Sequence, residues 1–217
     1  MKLFRIFFIV IILALALAAC SSDSTSNSEA KVLTVKSGES IQKVINKANA
    51  GDLILVEAGT YEGSIVIQTK DITLRGLDRN AVVIDGKYSV DNGIVVAADG
   101  VRVENLTVQK FRTNGVLVYG GYSDQNAPED SSKAHIVKRY SVQYVNANGN
   151  GQYGIYAFAS RNGVIANTFT YANADAGIYV GQCKPCNADI NDNYATFNGL
   201  GFQGANASDE LYIYQND

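Results

Sequence analysis

Behind an apolar N-terminal run, hydrophobic and polar positions alternate in short bursts. "LILV" (53–56), "SIVI" (64–67), "VVID" (82–85), "GIVVA" (93–97) and "GVLVY" (115–119) each hold three or four apolar residues, and turn residues follow. Alternation with period two over so few residues predicts short strands joined by tight turns. The bursts also recur in register. A glycine preceding a branched or apolar residue stands at Gly93, Gly115, Gly154, Gly177 and Gly199, with gaps of 22, 39, 23 and 22 residues. The long gap contains an insertion of about 17 residues, which leaves 22 again. Asn105, Asn146, Asn167, Asn193 and Asn216 form a second series.

A strand of four residues cannot bury its own apolar face. Stacking equivalent strands about 4.8 Å apart gives each inward side chain a neighbour above and below. A period near 22 with three short strands per unit therefore predicts an all-β chain wound as a right-handed parallel β-helix. Val116, Ile155 and Ile178 are expected to stack inside it. Val95, Leu117, Tyr156 and Tyr179, one position on, are expected to form an outward column. The asparagines predict a ladder of side-chain amides running from coil to coil. Ahead of the repeats, "SIQKVINKANAGD" places Ile41, Val44, Ile45 and Ala48 on one helical face, with Ser40 as N-cap and Gly51 as stop. This helix is expected to cap the first coil.

The N-terminus changes where such a coil would sit. Lys2 and Arg5 precede an uncharged apolar run, Ile6 to Ala19, which reads as an export signal and is short for a membrane span. It ends in "LAAC", which resembles a bacterial lipoprotein box. The resemblance implies cleavage before Cys20 and lipidation of Cys20, so the membrane is the expected partner through an extracytoplasmic lipid anchor. Residues 1–19 are then the signal peptide, 20–36 the lipidated cysteine with a Ser-rich flexible tether, and 37–217 the β-helix domain. That domain is expected to be incomplete at its C-terminus, because "LYIYQND" stops within a repeat.

Composition narrows the partners. Without Lys2 and Arg5 the chain has 16 basic against 21 acidic residues, about −5 in net charge. No basic stripe exists to collect phosphates, which argues against nucleic acid. Two prolines, no Trp, 20 Gly and 13 Tyr suit many strands and turns.

Two blocks carry a family resemblance. "SIQKVINKA", "GDLILVEAGTYEG", "ITLRG" and "VVIDG", between residues 37 and 86, are similar to the opening of pectate-lyase-like right-handed parallel β-helix repeat proteins. "GQYGIYAFASRNGVIANTFTYANADAGIYVGQCKPCNADINDN" (151–193) resembles a block in an uncharacterised bacterial group of right-handed β-helix proteins. For a lyase the resemblance implies a calcium cluster of carboxylates with an Arg or Lys base. Calcium is expected on that analogy alone, and no other cofactor or metal is evident. Basic residues thin out, with only Lys184 after Arg161, and Asp91 and Asp175 share a register that holds Thr113 and Gln152 between them.

Four further features invite chemistry. Cys183 and Cys186 flank "KP" behind a strand and read as a disulfide pinning a loop in an oxidising compartment; two free buried thiols, or metal or redox chemistry, are the alternatives. Tyr156 and Tyr179 offer ring faces to sugars, or else form a plain exterior ladder. The insertion gathers Asp124, Glu129, Asp130, Lys133, His135, Lys138 and Arg139, as a binding loop or a solvated one. The sequons at Asn105 and Asn206 read as coincidence in a bacterial lipoprotein. The expected function is polysaccharide binding or processing at the cell envelope, with Tyr156, Tyr179, Arg161 and Asp175 as ligand-binding residues. Any enzymatic activity would be lyase-like or otherwise carbohydrate-active. A non-catalytic structural or adhesion module is the alternative. Scarce His and Met argue against a copper-delivery role.

Overall fold

The computed structural model describes residues 29–121 and 135–217. The chain winds through about seven turns of a right-handed parallel β-helix. It enters with β1 (Val32–Val35) and α1 (Ile41–Ile45). The first full coil is β2 (Leu53–Val56), β3 (Gly59–Glu62) and β4 (Ile65–Ile67). The second is β5 (Thr73–Gly76), β6 (Val82–Asp85) and β7 (Ile94–Val96). The third is β8 (Arg102–Gln109) and β9 (Val116–Val118), followed by β10 (Val137–Lys138) beyond the insertion. The fourth is β11 (Ser141–Asn148), β12 (Ile155–Phe158) and β13 (Ser160–Arg161). The fifth is β14 (Val164–Ala166), β15 (Phe169–Tyr171) and β16 (Ala176–Cys183). The sixth is β17 (Ala188–Asn191), β18 (Tyr194–Thr196) and β19 (Leu200–Ala207), and β20 (Leu211–Tyr214) begins the last.

Three faces result. Face A is β1-β2-β5-β8-β11-β14-β17-β20, and face B is β4-β7-β9-β12-β16-β19. Face C holds β3, β6, β15 and β18, joined by the second halves of β8 and β11. These two strands serve both faces because they bend at Asn105 and Tyr144, where φ is 56° and 54°.

The expected interior stack is present. Ile94, Val116, Ile155 and Ile178 pair in successive rungs of face B and are buried. On face A the inward ladder is Leu33, Ile54, Leu74, Val103, Val142, Ile165, Ile190 and Ile213. Face C tapers from Tyr61 and Ile84 through Val108 and Ala147 to Thr170 and Ala195.

The repeat glycines have a spatial cause. A Cβ on Gly93, Gly115 or Gly154 would meet the carbonyl oxygen of the next coil's glycine at 2.5, 2.7 and 2.6 Å. Any side chain there would push the coils apart. The register also corrects the last member of the series. Ala176 pairs with Leu200 and Ile178 with Phe202, so Gly201 and not Gly199 stacks on Gly177.

The asparagine series divides similarly. Asn105 and Asn167 occupy left-handed corners (φ 56° and 55°), a conformation that Asn tolerates. Asn146 lies on the outside of face C, opposite Thr107 and Phe169. Only Asn193 and Asn216 belong to a ladder. The Asn193 amide donates to Asn216 Oδ1 at 2.9 Å, while Asn193 Oδ1 accepts from Thr168 Oγ1 at 2.7 Å. A second ladder runs through Asn150, Asn173 and Asn198, linked by amide bonds of 2.8 Å each.

Two boundaries move. The helix ends at Ile45, with Asn46 as its C-cap, although Ser40 caps it as expected. Gln42 then pairs with the backbone of Val66, accepting from its N–H at 2.7 Å and donating to its carbonyl at 3.0 Å, which covers the free edge of β4. The fold itself begins at β1, within the stretch expected as tether, because Val32–Val35 pairs along β2. The signal peptide and Cys20 lie outside the described residues. Cys183 and Cys186 form a disulfide with Cα atoms 4.7 Å apart, both buried in a lengthened corner.

Candidate functional site

The outward column of face B is not an open platform. Val95, Leu117 and Tyr179 are buried, and Tyr156 is half-buried. Tyr156 and Tyr179 pack edge to face at 4.8 Å, and Tyr153 leans on both at 4.7 and 5.1 Å. Tyr179 lies over Gly181, where a Cβ would meet its hydroxyl at 2.5 Å. Burial raises the Tyr156 phenol above its usual range, and the phenols of Tyr179 and Tyr153 add to it. Asp175 joins this cluster: burial, then the Asp175 charge and hydrogen bond, raise the Tyr153 phenol. Arg161 stands apart. It follows the left-handed corner at Ala159 and donates from Nη2 to the Lys184 carbonyl at 3.0 Å. Three of the four expected ligand residues therefore converge, and one does not.

The insertion closes at a neck. Gly120 bridges His135 in antiparallel fashion, and His135 Nε2 lies 2.8 Å from Asp99 Oδ1, which also accepts from the Lys138 N–H at 2.9 Å. These bonds and the His135 charge overcome burial and hold the Asp99 carboxyl below its usual range. Arg139 pairs with Asp71 at 3.2 Å. Asp124, Glu129, Asp130 and Lys133 lie outside the described residues.

Among the described residues, the carboxylates do not fit the calcium cluster implied by the resemblance. Asp91 is engaged by Arg112 at 2.8 Å, Asp85 accepts from Gln109 at 2.9 Å, and Asp175 serves Tyr153. Among the described residues, no three His, Cys, Asp or Glu side chains gather at metal-binding distance.

A different place offers an open site. On the outside of face C, Asn146, Phe169 and Tyr194 share one register across three coils. The Phe169 and Tyr194 rings stack at 5.7 Å with 16° between planes, and Tyr171 continues the stack from Phe169 at 6.2 Å. Tyr194 is 51% exposed, and Tyr144, on its left-handed corner, is 49% exposed. Tyr144, Asn146, Phe169 and Tyr194 line an open cleft of about 610 Å3 together with Arg79, Asn80, Asn167, Thr168 and Asp192.

Arg79 is built into the cleft. In its loop, Asp78 Oδ1 accepts from the N–H groups of Asn80 and Ala81 at 2.8 and 3.0 Å, and Thr107 Oγ1 donates to the Arg79 carbonyl at 2.7 Å. The guanidinium then reaches two and three coils further and donates from Nη2 to the carbonyls of Val145 (3.1 Å) and Asn167 (3.0 Å). Its Nε is buried without a partner among the described residues. Burial lowers the Arg79 pKa, yet guanidinium stays charged at neutral pH. Asn146 donates to Asn80 at 3.1 Å, which leaves a row of amides beside the rings. Ring faces for apolar C–H surfaces, amides and a guanidinium for hydroxyl or carbonyl oxygens, and a rigid floor are what a chain of sugars requires.

Sequence reasoning missed this cleft. Arg79 sits in a loop with no periodic signal, and the spacing of Asn146 matches that of the ladder residues. The spacing of 25 residues from Phe169 to Tyr194 was the usable clue.

No family model matches the chain, and no curated protein matches it. Among solved structures it is similar to the A-module of a mannuronan C-5 epimerase from Azotobacter vinelandii, with 19% identity and a TM-score of 0.47 over 75% of this chain and 54% of that one. The chain thus spans about half of that module. A pectin methylesterase solved with hexasaccharides matches with 15% identity and a TM-score of 0.39, over 84% of this chain and 67% of that one.

Proposed function

We propose that this protein is an exported, lipid-anchored β-helix that binds polysaccharide at the cell envelope, and that the face C cleft is where the polymer lies. The observation that carries the reading is the exposed Tyr194 ring stacked on half-buried Phe169 beside Tyr144, with Arg79 and the Asn80–Asn146 amides along the rim. Sugar rings present one apolar face and a circumference of hydroxyls, and the cleft presents the complement. The Cys20 box supports anchorage, and the buried Cys183–Cys186 bridge suits an oxidising compartment.

A panel of neutral and acidic polysaccharides, read by titration calorimetry and for unsaturated products, tests the reading. Wild type binds at least one polymer. Tyr194→Ala weakens that binding by about 5- to 10-fold, the loss of roughly 1 kcal/mol of ring contact. Equal binding by wild type and Tyr194→Ala would place the polymer elsewhere. Unsaturated products would make the protein a lyase.

A further inference from the structure

After Arg139 the chain contains two cations, Arg161 and Lys184, against six carboxylates between Asp175 and Asp217. With so few charges, solvation predicts that they stand apart, each near an acid. The fold brings them together. Arg161, on β13, donates from Nη2 to the Lys184 carbonyl, and both line an open cleft of about 320 Å3 with Gln182 and Asn206. Neither cation forms an ion pair among the described residues. Asp209, whose carbonyl accepts from the Cys186 N–H at 3.2 Å, turns its carboxylate to the Ser208 hydroxyl at 3.0 Å.

The scaffold beneath the pair is rigid. Lys184 sits inside the loop closed by Cys183 and Cys186, both fully buried. Gln182 and Asn206 occupy stacked left-handed corners (φ 55° and 50°) and line the cleft beside the cations. Two like charges repel when held close, and an arriving anion removes that repulsion while taking charge-assisted hydrogen bonds from a guanidinium fork and an ammonium.

We infer that this cleft is an oxyanion site, taking a carboxylate, sulfate ester or phosphate group. It lies at the corner after face B, away from the face C cleft, and does not depend on the polysaccharide reading. The disulfide acts by fixing Lys184 next to Arg161.

The test is titration of the full chain with three probes: a uronate oligosaccharide, a sulfated oligosaccharide and inorganic phosphate. At least one is expected to bind, with affinity falling as salt rises. The Arg161→Gln, Lys184→Gln double variant is expected to lose about 10- to 100-fold, because each charge-assisted contact is worth roughly 1.5–3 kcal/mol. Lys184→Arg retains binding, since the charge is kept. Both side chains reach solvent, so unchanged circular dichroism is expected to certify the fold. Binding of no probe, or equal binding by wild type and the double variant, overturns the site. Failure of the face C reading would appear in Tyr194→Ala instead.

Discussion

At the scale of single residues, the interior changes chemistry along the axis. One corner column runs Phe111, Asn150, Asn173, Asn198, and another runs Leu106, Val145, Thr168, Asn193, Asn216. Early coils fill these corners with aliphatic or aromatic side chains, and later coils fill them with hydrogen-bonded polar ones. Each ladder amide satisfies backbone groups that a corner would otherwise orphan. Asn173 Oδ1 accepts from the Asn150 N–H and amide, and its own amide donates to the Ala147 carbonyl. Asn173→Ala is therefore expected to cost roughly 3 kcal/mol in urea unfolding, since several buried groups lose partners at once. Asn146→Ala, on the outer surface, is expected to cost below about 1 kcal/mol. Asp52 provides a second residue-scale prediction. N–H groups of Asn49 and Lys31 hold its carboxyl below the usual range, against burial. Its stabilisation is complete above the ordinary carboxylate pKa of about 3.9 and is lost as pH falls through the depressed folded value. Asp52→Asn is expected to flatten the acid limb of the stability–pH curve; an unchanged limb would contradict the assignment.

At the scale of elements, the corners explain which parts of the repeat were legible. Strand residues repeat by type because every inward position meets its equivalent, so Val116, Ile155 and Ile178 could be aligned by eye. Corner residues repeat by conformation. The column Asn105, Tyr144, Asn167, Asp192, Gln215 keeps φ between 54° and 56° with hardly a shared residue type. A pattern of backbone angle leaves little mark in composition, which is why the asparagine series mixed corner, ladder and surface positions. The same logic hid Gln42, whose edge-covering bonds to Val66 depend on where a short helix lands. Left-handed alanine is strained relative to glycine. Ala172, exposed at φ 55°, is one such position. Ala172→Gly is expected to raise the unfolding free energy by about 0.5–1 kcal/mol, measured by denaturant midpoint at constant slope. A loss of that size would contradict the strain argument.

At the scale of the whole molecule, the coil is a ruler that converts a sequence spacing near 23 to 25 into side chains stacked along one face. That geometry made the fold readable from glycine spacing, while the site required knowing which face stayed open. Tyr156 and Tyr179 had the right chemistry on a face where they pack against one another and Tyr153. Phe169 and Tyr194 had the same chemistry on a face with free space, and only the three-dimensional path of the Arg79 loop closes that space into a cleft. The most direct measurement is an amide chemical-shift titration of the labelled protein with oligosaccharides of the polymers in the binding panel. The account predicts shifts that cluster on Arg79, Asn80, Tyr144, Asn146, Phe169 and Tyr194 and leave the Tyr153–Tyr179 cluster unmoved. Shifts centred on Tyr156 and Tyr179, with the face C amides silent, would contradict it.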